Sequence, residues 1–208
     1  MEGNDKAILI VIGVLMLFGI AIYLGGHFGL YNLNRPDVYM YSNGDSEFEV
    51  RKVVDQNYVG YEIKFFYPGS GQPYYMDVRY DPASMEDIPI DRTIFNKIKD
   101  DKVMHITIDP TANLTGKTTI AALEIDKFID NKYFLNIQVN SSVTKPYADY
   151  PIKTCGDATP DNSVIWLKTG DETKITTEGN CIIVQGKDED DIIRAADRLV
   201  LYLVGIMP

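Results

Sequence analysis

The chain has 208 residues, a formal net charge of -10 and a pI near 4.6. So acidic a balance repels nucleic-acid backbones and anionic headgroups, and no nucleic acid is expected as a partner. With two histidines and two cysteines, the composition offers little for a metal centre, and no metal or other cofactor is expected.

The first element is the uncharged stretch Ala7–Leu24, AILIVIGVLMLFGIAIYL. As a helix it would be roughly 27 Å long, close to the ~30 Å hydrocarbon core of a bilayer, where only a helix satisfies its own backbone. Residues 1–30 are therefore read as a single-pass transmembrane anchor, contacting lipid through residues 7–24, and residues 31–36 as a linker. The run is longer than a signal-peptide core and no small-x-small site follows it, so the anchor is expected to be retained. Ala21, Gly25 and Gly29 form a small-xxx-small series. Two of the three lie at or past the interface, which favours a frayed exit from lipid over a helix-pairing face.

Flanking charge says little about orientation, with Lys6 before the span and Arg35 after it. Cys155 and Cys181, an even pair without CxxC spacing, suit a disulfide in an oxidising compartment. Asn113-Leu114-Thr115 and Asn140-Ser141-Ser142 are glycosylation sequons. Together they place the N-terminus in the cytoplasm and the remainder outside, as a glycoprotein of the cell membrane.

Residues 37–82 read as a β-meander. Val38–Tyr41, Phe48–Val54, Tyr58–Tyr67 and Tyr74–Tyr80 are rich in Tyr, Val and Phe and are divided by turn chemistry. Tyr61, Ile63 and Phe65 alternate onto one face. Residues 83–208 read as an α/β subdomain. A short helix over Asp91–Asp100 is expected to turn Ile94, Phe95 and Ile98 inward, followed by a strand over Val103–Ile108. The helix Thr118–Ile129 should bury Ile120, Leu123, Ile125, Phe128 and Ile129. Strands are expected at Tyr133–Val139, Val164–Lys168, Lys174–Thr177 and Asn180–Gln185, with a proline-rich loop carrying Cys155 between the first two. A last helix from Asp188 should bury Ile192, Ala196, Leu199, Val200 and Leu203 and turn Arg194, Asp197 and Arg198 to the opposite face. A Cys155–Cys181 bridge would tie the loop to the last strand. The expected fold class is α+β with an α/β-like C-terminal part: an N-terminal transmembrane helix, an antiparallel β-meander, then a sheet covered by two to three helices.

Three stretches invite a chemical reading. Gly116-Lys117-Thr118-Thr119 sits between a strand and a helix, as a phosphate-binding loop does, but Thr111 stands where that motif needs glycine. A plain helix start explains it better. His105, Thr107 and Asp109 would share a strand face, and a histidine beside a carboxylate is acid–base chemistry. No nucleophile motif accompanies them, so a polar sheet face is the stronger reading. Asp188-Glu189-Asp190-Asp191 lacks calcium-loop spacing and suits a helix cap. No catalytic residue is assigned.

The segments Pro151–Ala158, Val164–Lys168, Asn180–Gly186 and Ala195–Leu199 resemble uncharacterised archaeal single-pass membrane-anchored proteins with a small extracytoplasmic α/β domain. The strand–Gly–acidic–helix ending is more distantly similar to α/β segments of archaeal surface-layer proteins. The resemblance implies an archaeal source, a cell-envelope setting and a Cys155–Cys181 bridge, and brings no catalytic residues. The expected function is a non-enzymatic interaction or scaffolding protein, one subunit of a cell-envelope assembly whose partners are other envelope or membrane proteins. The alternative is a surface ligand-binding or receptor domain; a tethered hydrolase working around His105 and Asp109 ranks last.

Overall fold

A computed structural model describes residues 38–55, 58–66 and 71–208. The expected anchor at Ala7–Leu24 and linker at 31–36 lie outside the described residues. Among the described residues no helix is long and apolar enough to cross a membrane.

Four strands, β1 (Val38–Ser42), β2 (Glu47–Asp55), β3 (Tyr58–Phe66) and β4 (Pro73–Val78), pair antiparallel in chain order, as the meander reading expected. The β1–β2 turn is set by Asn43, whose Oδ1 accepts from the backbone N–H of Asp45 and Ser46 at 3.0 and 2.8 Å. Gly44 between them has φ +94°, a conformation that favours glycine. Val50, Ile63 and Met76 stand side by side across β2, β3 and β4 and are all buried. On the other face Arg51 pairs with Glu62 at 3.5 Å. Strand β4 stops at Val78 instead of running to Tyr80. The next two N–H groups, of Arg79 and Tyr80, donate to Asp197 Oδ2 at 2.8 and 2.9 Å.

The second sheet contains β5 (Val103–Ile108), β6 (Gln138–Val143), β7 (Asn162–Thr169), β8 (Lys174–Glu178) and β9 (Cys181–Gly186) in the order β6-β5-β7-β9-β8. All neighbours are parallel except β8 and β9. Helix α1 (Ile94–Ile98) precedes β5, α2 (Gly116–Ile129) joins β5 to β6, and α3 (Glu189–Leu203) follows β9. The chain is thus α+β, with an antiparallel sheet, a mixed sheet and three helices among the described residues.

Several boundaries differ from expectation. Asp91 Oδ1 accepts from Thr93 N and Thr93 Oγ1, so turn geometry delays α1, and Phe95 is left exposed. In α2, Ile125, Phe128 and Ile129 are buried as expected, Ile120 is half-buried, and Leu123 lies in solvent. Residues 133–136 are not strand. Asn131 accepts from the N–H groups of Tyr133, Phe134 and Asn136 in a turn, and the Phe134 ring packs on Phe65, Tyr74 and Phe128. The apolar Tyr-Phe-Leu run serves as a plug between helix and meander, and β6 begins only at Gln138.

One continuous core runs from the meander (Val50, Ile63) through the helices (Ile125, Leu199) to the second sheet (Met104, Ile182). Because α3 is covered on almost every side, the expectation that Asp197 and Arg198 face away is overturned: both are buried. Asp197 holds the chain after β4, and Arg198 Nη1 donates to Met207 O at 2.5 Å. Where β9 meets α3, a Cβ on Gly186 would lie 2.3 Å from Ile192 N, so only glycine fits there.

The two faces of the second sheet are covered differently. Met104, Ile106, Leu167 and Val184 meet the shared core. On the opposite face Val164, Cys181, Ile183 and Trp166 meet the irregular connection between β6 and β7, through Cys155 and Ala158. The Cys155–Cys181 disulfide forms, as expected, and staples that connection to β9. Short segments also lie along both sheet edges. The 89–91 stretch exchanges backbone bonds with Ile175 of β8, and Pro151 and Lys153 do so with Val143 of β6.

Candidate functional site

The chain leaves β5 through α2 on one face and leaves β6 through a connection that crosses the other face. Strands whose connections diverge in this way part at their carboxyl ends, where open α/β sheets hold ligands. A cavity of about 310 Å³ lies there. Its floor is aliphatic, with Ile106, Ile108 and Val143 from the strands and Leu114 and Ala122 from the loop and helix above. Tyr147 and Tyr150 form a wall and keep more than half of their surface exposed.

Asp109 stands at the mouth. Its Oδ1 accepts from Thr111 N and Thr111 Oγ1, each at 2.8 Å, and Oδ2 accepts from Lys145 Nζ at 2.8 Å. The Lys145 bond and the Thr111 donors draw its pKa down to about 2. Such a carboxylate stays ionised at neutral pH and makes a poor general acid or base. Lys145 also donates to Thr111 Oγ1 at 2.9 Å, which closes the three side chains into a neutral group.

His105 and Thr107 belong elsewhere, on the sheet face under the β6–β7 connection. Thr107 Oγ1 donates to Lys153 O at 2.8 Å. Burial, then the neighbouring Lys153 charge, push the His105 pKa down. Strand β5 ends before Asp109, so the expected shared face of His105 and Asp109 is not formed.

The start of α2 shows why Gly116–Thr119 is not a phosphate loop in this fold. Thr115 is the N-cap, and the Glu189 carboxylate from α3 sits where an anion would bind. It accepts from Thr115 N and Thr115 Oγ1 at 2.5 Å and from Thr118 Oγ1 at 2.7 Å. Lys117 is paired with Asp190 at 2.7 Å. The helix end supplies its own anion. Asp188 caps α3 through Asp191 N at 2.9 Å, as expected, and Asp191 binds Thr173 and Arg194. Among the described residues no group of three or more His, Cys, Asp or Glu side chains is placed to hold a metal ion.

Of the sequons, Asn113 is exposed in the β5–α2 loop at φ +54°, with Thr115 engaged by Glu189. Asn140 lies in edge strand β6, where the Ser142 hydroxyl is buried and donates to Ile106 O at 3.1 Å. A second hollow of about 280 Å³ is aromatic throughout one side, with Phe65, Phe66, Phe95, Phe128 and Phe134.

Sequence reasoning missed Lys145, Tyr147, Tyr150 and Glu189. The first three stand in a loop with no periodicity, and Glu189 looked like one acid among four. Comparison with known proteins adds little: no family model and no curated protein matches. One solved structure, described as a GH138 enzyme targeting pectin rhamnogalacturonan II, is similar over 47% of this chain at 18% identity. The match spans 10% of that enzyme with a TM-score of 0.31, too slight to carry an argument.

Proposed function

We propose that this protein is a membrane-anchored extracytoplasmic interaction protein rather than an enzyme, and that its outer domain recognises a small ligand in the crevice beyond β5 and β6. Ala7–Leu24 holds it in the membrane as a single pass, N-terminus inside. The Cys155–Cys181 disulfide supports an oxidising location for the domain. The observation that carries the reading is the crevice itself. It is concave, its surface is largely apolar with hydroxyls set among the aliphatic groups, and its carboxylate is held ionised by its neighbours instead of being poised for proton transfer. The test fills the cavity. Ala122→Trp projects an indole from α2 into it and should abolish small-molecule binding, read by ligand-observed NMR, while circular dichroism stays unchanged. Binding that survives the substitution would place the recognition site elsewhere.

The aromatic hollow supports a companion reading, that the domain is one subunit of a cell-envelope assembly. Phe66 and Phe95 are exposed there beside buried Phe65 and Phe128, the kind of apolar surface that partners cover. Gentle extraction from native membranes followed by size measurement decides it. A chain migrating near its 23.4 kDa monomer mass, beyond detergent, would end the assembly reading.

A further inference from the structure

Resting on the crevice as a binding site, we propose that its ligand is a neutral sugar, one or two pyranose rings of a cell-surface glycan. Size comes first. About 310 Å³ is at the low end of the ~300–1,000 Å³ typical of ligand pockets, too small for a dinucleotide or an extended lipid. Charge comes second. Among the described residues Asp109 is the one charged group lining the crevice, and Lys145 with Thr111 already neutralises it. An ionic ligand would enter without a counter-charge, at a desolvation cost the site does not offset. The neighbouring helix end that could receive phosphate is filled by Glu189.

Shape and polarity complete the argument. A hydrocarbon would shut the Asp109–Lys145 pair away from water with nothing in exchange. A pyranose has one apolar C–H face and a rim of hydroxyls. The rings of Tyr147 and Tyr150 offer flat apolar surface to the first, and they are exposed without a ligand. Asp109 retains acceptor capacity for adjacent hydroxyl donors, and Thr119 and Ser141 add hydroxyls at the rim. The proposed contact is stacking on the tyrosines with hydrogen bonds to Asp109.

Saturation-transfer NMR on the full chain in nanodiscs, made in a host that does not glycosylate, tests this. The probes are neutral hexoses, N-acetylhexosamines and their disaccharides, set against free amino acids and against inorganic phosphate, whose binding is read by phosphorus-31 line broadening. Sugar signals are expected to saturate, and Tyr147→Ala or Tyr150→Ala should weaken affinity about tenfold, as the loss of one stacked ring implies. Both tyrosines are in an exposed loop, so these variants test the idea even if Ala122→Trp fails to fold. Amino acids or phosphate binding in an Ala122→Trp-sensitive way, with sugars silent, would overturn the sugar assignment and leave the crevice reading standing. Silence from every probe would overturn both, and sugar binding unchanged in the tyrosine variants would remove this site from it.

Discussion

The two faces of the five-stranded sheet solve the same burial problem by different means. On one side two helices and the meander close over Met104, Ile106, Leu167 and Val184 in a core that needs no covalent help. On the other, a loop of irregular backbone covers Val164, Ile183 and Trp166, with a disulfide fixing it to β9. A helix brings its own backbone hydrogen bonds to an apolar surface, whereas a loop must find each one separately. The stapled connection also supplies Tyr147 and Tyr150 to the crevice at its other end.

This contrast can be broken first at the most deeply buried carboxyl group on the helix-covered side. Asp197 is buried within the helix layer, and desolvation raises its pKa to about 7 against the opposing pull of two backbone N–H donors. A carboxyl group with a raised folded-state pKa stabilises the fold fully below its unfolded pKa near 4, and that contribution is lost as pH rises through about 7. The span is on the order of 4 kcal/mol. Denaturant midpoints should fall between pH 4 and pH 8, and Asp197→Asn, which keeps an acceptor for both N–H groups, should flatten the slope. An unchanged slope would show that the carboxyl does not titrate in this window.

Ile182 and Ile183 point to opposite faces of one strand, so they compare the two sides directly. Ile182→Ala opens a hole in the helix-covered core and should cost about 4 kcal/mol, whereas Ile183→Ala should cost about 2 kcal/mol because the loop can settle onto it. Equal losses in urea unfolding would mean the loop is packed as tightly as the helices. Cys155→Ser should remove about 3 kcal/mol by releasing a bridge across a 26-residue separation. Hydrogen exchange should then rise first in residues 144–161 while α3 stays protected. The smallest effect is local: Asp188→Ala removes the α3 N-cap and should cost about 1 kcal/mol in thermal melts.

Much of this architecture is legible from residue order alone. Turn chemistry around Asn43-Gly44 and the alternation in Tyr61, Ile63 and Phe65 define the meander, because both signals act within a few residues. The last helix is equally plain in its apolar spacing. Its polar side is misleading: Asp197 and Arg198 face another part of the protein instead of water, and only the tertiary arrangement shows that. Tyr133-Phe134-Leu135 reads as strand because β propensity records fit to a half-buried surface, and an aromatic plug has that property too. The crevice was invisible for a deeper reason. Asp109 and Lys145 are 36 residues apart and meet through the parallel pairing of β5 with β6, which no local pattern announces.

The segments lying along β8 and β6 bear on how this sheet meets other chains. A sheet edge with free N–H and C=O groups recruits other strands. Here Pro89–Asp91 and Pro151–Lys153 occupy backbone groups of Ile175 and Val143 on the two outermost strands. At these two positions a further strand would find the edge groups already taken and would have to displace them.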